Sequence, residues 1–271
     1  MIEKYYNGVI EQVAGGIGNV EHNSILVRYS NDFSIWDLES VNHYKDQTDI
    51  FFTCHEFSYN KIAEAYEPYL GLIRQMFHKY CSGTLEEFME ECDVYKLQRP
   101  VFESYFEKGF CERTEQILID EVEYEQERMH SSIVTMLQKL SEICPIVIVL
   151  NRFQLASKST MQLTNRLLQT KNKNIGIVLG VNDVQSIPEF AHEEWDAICE
   201  SMDDRNMVYH IGNAGRNMEP DVMDYYSDYE SDDGYRKLNN LVYFLDFDQA
   251  DHHLSKIERR IKFDRICADT V

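Results

Sequence analysis

Apolar residues recur along this chain in two rhythms. Residues 145–150, Pro-Ile-Val-Ile-Val-Leu, form a continuous β-branched run, as expected of a central parallel strand buried on both faces. A second such run follows at 175–181, Ile-Gly-Ile-Val-Leu-Gly-Val. Between them Met161, Leu163, Leu167 and Leu168 recur at near-helical spacing, so the stretch predicts a βαβ unit with a right-handed crossover. Weaker strands are expected at 49–54 and 207–211. Another is expected at 8–13, although Glu11 and Gln12 suit a central strand poorly. The helical period predicts a helix opening at Pro68 and running to Tyr80, with Leu72, Ile73, Met76 and Phe77 on one face. It predicts a longer helix over 114–143, with its stripe at Met129, Ile133, Met136, Leu137 and Leu140, and a further helix around Trp195, Ile198, Cys199 and Met202. Alternating β and α patterns imply an α/β fold, a doubly wound and mostly parallel sheet with helices on both faces.

A break falls at 219–233, which holds seven acids, no bases and the tyrosines Tyr225, Tyr226 and Tyr229. Such a stretch reads as an acidic linker or loop. Beyond it, 238–245 and 249–260 are two helical patterns that predict an αα-hairpin. The division expected is an α/β domain over 1–218, a linker over 219–235 and the hairpin over 236–271. In the hairpin, Tyr243, Phe244, Leu245, Phe247, Ala250 and Leu254 resemble a tetratricopeptide repeat, in which a small residue such as Ala250 lets two helices approach. One repeat cannot bury its own apolar face. The hairpin must therefore pack on the body, pair with a second copy, or continue into further repeats of a longer chain, and the helical pattern at the chain end favours the last.

Charge and cysteine usage narrow the partners. The formal net charge is −21 over 271 residues, a field that repels phosphate backbones and anionic membranes. The densest basic stretch, 256–265, reads as a solvated helix face. Neither nucleic acid nor membrane is expected as a partner. The seven cysteines are scattered without CxxC spacing, which fits reduced thiols and a cytoplasmic protein better than disulfides or zinc. The N-terminus lacks the pattern of a signal peptide, and no apolar run approaches the ~20 residues of a membrane span. Cys54-His55-Glu56 reads as a core cysteine beside a surface histidine, because adjacent strand residues point to opposite faces. His252 and His253 read as a solvated helix face.

One segment invites comparison with the phosphate loop GxxxxGK[ST]. It is 13–20, Val-Ala-Gly-Gly-Ile-Gly-Asn-Val, in which Gly15, Gly16, Ile17 and Gly18 would supply backbone donors. Asn19 stands at the lysine position, Val20 at the hydroxyl position and Val13 at the first glycine. Three further stretches accompany it in order: 66–73 (Tyr-Glu-Pro-Tyr-Leu-Gly-Leu-Ile), 147–157 with Asn151 and Arg152 at the strand end, and 177–183 (Ile-Val-Leu-Gly-Val-Asn-Asp). Together, over roughly residues 8–215, they resemble the signal-transduction ATPases with numerous domains, a branch of the P-loop ATPases in bacterial regulators.

That resemblance implies a P-loop-like fold in which 147–157 stands for the Walker B strand and 177–183 for the sensor strand. It also implies a chain stripped of catalytic residues. Asn151 replaces the acid that would hold Mg²⁺, and Arg152 replaces the acid that would position water. Asp183 stands where a cationic sensor is expected. Phosphoryl transfer depends on positive charge placed around the γ-phosphate, and little of it remains. The expectation is a non-catalytic regulatory or binding module with no cofactor, whose partner is a protein, a second copy through the hairpin, or further repeats. One alternative is a switch that binds ATP or ADP without efficient hydrolysis, through Gly15–Val20, Asn151 and Arg152. The other is a purely structural interaction module.

Overall fold

In the computed structural model, residues 2–18, 23–29, 35–45, 47, 49–58, 62–109, 122–170, 172–182, 187, 191–203, 208–211 and 232–255 are described. Five parallel strands form one sheet in the order β2-β3-β4-β1-β5. They are β1 (Ser24–Tyr29), β2 (Phe51–Glu56), β3 (Ile146–Asn151), β4 (Ile175–Asn182) and β5 (Val208–Ile211). Every residue of β3 and β4 is buried, as their unbroken aliphatic runs require of central strands. β2 lies at one margin, and all six of its residues are half-buried.

Side chains alternate between the two faces and so create two cores. On one face Ile25, Val27, Val147, Val149 and Val178 pack under α1 (Ile2–Gly15) and α2 (Glu39–Lys45). On the other, Leu26, Ile146, Ile148, Leu150, Ile177 and Leu179 join a larger core. It is built from α3 (Tyr69–Tyr80), α4 (Leu85–Glu91), α5 (Arg99–Lys108), α6 (Val122–Ile143), α7 (Lys158–Gln169), α8 (His192–Asp203) and α9 (Asp232–Tyr243). The architecture is therefore the doubly wound α/β sheet that the alternating patterns imply.

The first thirty residues differ from expectation. Residues 8–13 lie inside a helix, because Tyr6, Val9, Ile10 and Val13 recur at 3.6-residue spacing and are all buried against the sheet. Among the described residues the first strand is β1. Gly176 admits this helix: a Cβ there would stand 2.6 Å from Val13 Cγ1. The other strands, α3 and α7 keep their expected boundaries to within one or two residues. Pro68 caps α3, and the described part of the long helix begins at Val122. α4 carries a capping box in which Thr84 and Glu87 exchange side-chain and backbone bonds.

Most of the expected acidic linker lies outside the described residues, and the chain is helical from Asp232. After α9 a turn at 244–245 leads into a second helical stretch at 247–255. Leu241, Phe244 and Ala250 from this region belong to the larger core, so it packs on the α/β body. His253 does not face solvent: it is 2% exposed, and its Nε2 lies 2.8 Å from Gln249 Nε2. Residues 256–265 lie outside the described residues. Cys54, Cys81, Cys92, Cys144 and Cys199 are not joined in disulfides. Among the described residues no helix is long and apolar enough to cross a membrane.

Candidate functional site

In open parallel sheets, ligands bind outside the carboxyl ends of the strands, where the connections diverge to opposite faces. Here that place lies around β1, β3 and β4, since α2 follows β1 on one face while α7 and α8 follow β3 and β4 on the other. Four strands end there in polar or aromatic residues: Tyr29, Glu56, Asn151 and Asn182.

These ends are tied together. The Tyr29 hydroxyl donates to Asn151 Oδ1 at 2.7 Å. The Tyr6 hydroxyl reaches the same oxygen at 3.5 Å, at the limit of a hydrogen bond. Asn151 Nδ2 donates to Glu56 Oε1 at 3.4 Å, and Arg152 Nε lies 3.4 Å from that same carboxylate oxygen. Tyr6, Tyr29 and Asn151 are 0–1% exposed. Gly180 makes room for this cluster, because a Cβ there would collide with the Tyr6 hydroxyl and with Asn151 Oδ1. Beside it, Gln154 spans to β4: its Nε2 donates to the Asn182 carbonyl at 3.2 Å and its Oε1 accepts from the Asn182 N–H at 3.3 Å. Arg152 has φ 53°, a left-handed conformation that turns the chain from β3 into the short 3₁₀ segment Phe153–Leu155.

The electrostatics are those of a closed cluster. Burial raises the Tyr6 phenol well above its ordinary pKa, and Tyr29, Cys54 and Glu56 raise it further, so it stays protonated and is a poor proton donor to any base. Burial likewise pushes the Cys54 thiol to about 12, which removes it as a nucleophile near neutral pH. Arg152, the cation that could replace a phosphate-binding lysine, is already matched by Glu56. Among the described residues no group of three or more His, Cys, Asp or Glu side chains is arranged to hold a metal ion.

Gly15, Gly16, Ile17 and Gly18 are elsewhere. They close the carboxyl end of α1, where the helix dipole presents negative charge and disfavours an anion. Two of their donors are spent within the chain: Gly16 N–H bonds the Gln12 and Val13 carbonyls, and Gly18 N–H bonds the Lys173 carbonyl at 2.7 Å. Lys173 stands just before β4, and Asn23, just before β1, donates to the Asn172 and Ile175 carbonyls. The glycine turn therefore sits at the amino end of the sheet. Asn151 and Arg152 sit at the other end, roughly 20 Å away along β4 at ~3.3 Å per residue. Asn19, Val20 and Asp183 lie outside the described residues. Of the residues the sequence singles out, Asn151 and Arg152 come together; the glycines do not join them.

The structure adds Tyr6, Tyr29, Glu56, Gln154 and Asn182 to the cluster. A scan of the sequence against protein-family models finds no match, and a search of curated proteins finds none either.

Proposed function

We propose that this chain is a non-catalytic regulatory module, related in architecture to the P-loop ATPases, in which protein side chains occupy the place of the nucleotide. The observation that carries this reading is the bond from the Tyr29 hydroxyl to Asn151 Oδ1, beneath Tyr6. The strand end where a magnesium-binding acid would stand carries a neutral amide, and its acceptor is consumed by phenols.

Topology favours the same kinship. The sheet order, with the first strand between the fourth and fifth, is similar to that of P-loop ATPases with a strand inserted beside the phosphate-loop strand. That analogy concerns architecture, not activity. A phosphate loop must leave a strand's carboxyl end and open a helix. After β1 that position is 30–34, Ser-Asn-Asp-Phe-Ser, with neither glycine nor lysine. On this reading the chain needs no ATP, ADP or metal.

A protein is the expected partner. Val242, Phe247 and Leu254 are 42–50% exposed on the C-terminal helices, an apolar surface suited to further helical repeats or another protein. Titration calorimetry with ATP, ADP and GTP, each with and without Mg²⁺, tests the reading. No heat at millimolar nucleotide is expected. Saturable binding that Arg152→Ala weakens would favour the nucleotide-switch alternative.

A further inference from the structure

We propose that residues 240–249 are a cis latch that holds together the two loops leaving the carboxyl ends of β2 and β3, so that displacing this segment loosens the mouth of the candidate site. The inference goes beyond the reading above and depends on it only for what the loosening would regulate.

The two loops are first stitched to each other. Ser157 Oγ donates to the Glu64 carbonyl at 3.0 Å, Thr160 Oγ1 donates to the Glu67 carbonyl at 3.2 Å, and the Tyr66 N–H donates to Ser159 Oγ at 3.3 Å. The C-terminal segment then closes over the stitch. Asp246 Oδ2 accepts the Ser159 N–H at 2.9 Å. Ser159 is the second residue of α7, so its amide is one of the donors a helix start leaves without an intrahelical partner. A carboxylate 87 residues further along the chain supplies the cap. The other oxygen, Oδ1, accepts the Gln249 N–H at 3.3 Å and so starts the helical stretch at 247–255. One side chain thus accepts amides at the starts of two helices, beside the Ser157 N-cap of α7.

Three more polar contacts fix the segment. Asn240 Nδ2 donates to Glu64 Oε2 at 3.1 Å, Gln126 Nε2 donates to the Leu245 carbonyl at 2.6 Å, and Lys158 Nζ donates to Asp248 Oδ2 at 2.6 Å. Phe244 inserts its ring beside Tyr66, Phe102 and Tyr105, with centroids 5.7, 6.3 and 5.9 Å away. The contact also holds conformations that bulky residues avoid: Tyr66 has φ 58° and Leu245 has φ 67°. Burial raises the pKa of both carboxyls that join segment to body, Asp246 and Glu64, so each ionised group is held at a desolvation cost. A junction built of strained backbone and desolvated carboxylates has a reason to open locally before the sheet does.

Hydrogen exchange on the full chain tests this. In Asp246→Asn the amides of 64–67 and 158–161 should exchange about tenfold faster than in the parent, while those of β3 and β4 keep their rates. Faster exchange confined to 240–250, with both loops unchanged, overturns the proposal. Should Asp246→Asn open the whole molecule, Asp248→Asn decides, since it removes only an exposed contact to Lys158. A severalfold rise at 64–67 then supports the latch, and unchanged rates there overturn it.

Discussion

Two buried polar clusters cross the larger features of this fold, and they are built on opposite principles. The cluster at the strand ends rests on neutral groups, two phenols and one amide, with the Arg152–Glu56 ion pair beside them. The cluster under the C-terminal segment rests on two carboxyls whose pKa values burial raises, the buried Asp246 and the half-buried Glu64. Neutral partners that satisfy one another are inexpensive to keep buried, whereas an ionised carboxylate capped by a few donors is held at a standing cost. The first arrangement suits a permanently filled site, the second a contact that can open.

Tyr6→Ala should have the largest effect, because it removes the ring that covers Asn151 and anchors α1. A loss of about 3–5 kcal/mol in denaturant unfolding is expected for a fully buried aromatic. A loss below about 1 kcal/mol would mean that α1 does not seal the site.

Next comes acid sensitivity beside the second cluster. His130 is 7% exposed and packs its ring edge-on to Tyr66 at 5.5 Å. Burial lowers its pKa from 6.5 to about 4; nearby Glu127 opposes the shift and Arg166 adds to it. The folded chain therefore takes up this proton less readily than the unfolded chain. The contribution is intact above about pH 6.5 and is lost as the pH falls toward 4, on the order of 3 kcal/mol. Asp246 and Glu64 act in the opposite sense, since protonation relieves their burial as the pH falls. His130→Phe should flatten the acid limb of a stability–pH curve relative to the parent. An unchanged limb would show that this imidazole is solvated.

Tyr29→Phe should cost about 1–2 kcal/mol, the price of leaving a buried amide oxygen with, among the described residues, only the distant Tyr6 hydroxyl. The crossover is diagnostic: Tyr29→Phe should leave exchange at 64–67 unchanged. Asp248→Asn should be the mildest, within about 1 kcal/mol globally, because its pair with Lys158 is largely exposed.

How much of this the sequence disclosed depends on the range of the interactions involved. β3, β4 and α7 were legible because each carries a single unambiguous period within a dozen residues. The first thirty residues were not, because a glycine-rich segment read as a phosphate loop demands a strand before it and a helix after it. The residues themselves said the reverse: Tyr6, Val9, Ile10 and Val13 keep helical spacing, and Ile25-Leu26-Val27 is a β run. Gly8 in the middle of α1 blurs the helical signal, at about 1 kcal/mol of propensity. α4 and α5 escaped notice by being short, although Thr84 with Glu87 is a readable start signal.

At the site, the identities of Asn151 and Arg152 were visible as departures from a pattern, but their partners were not. Tyr29 meets Asn151 only because β1 enters the sheet beside β4, and Tyr6 only because Gly180 leaves it room. Asp246 gives no local hint of capping a helix 87 residues away. Such pairings are set by topology, to which a local reading of the chain is blind.

The central claim is that the chain's own side chains fill the place of a triphosphate. Phosphate release from Mg·ATP, followed to completion at high protein concentration, tests it most directly. The account predicts a rate indistinguishable from buffer. Steady release that Asn151→Ala abolishes would contradict it.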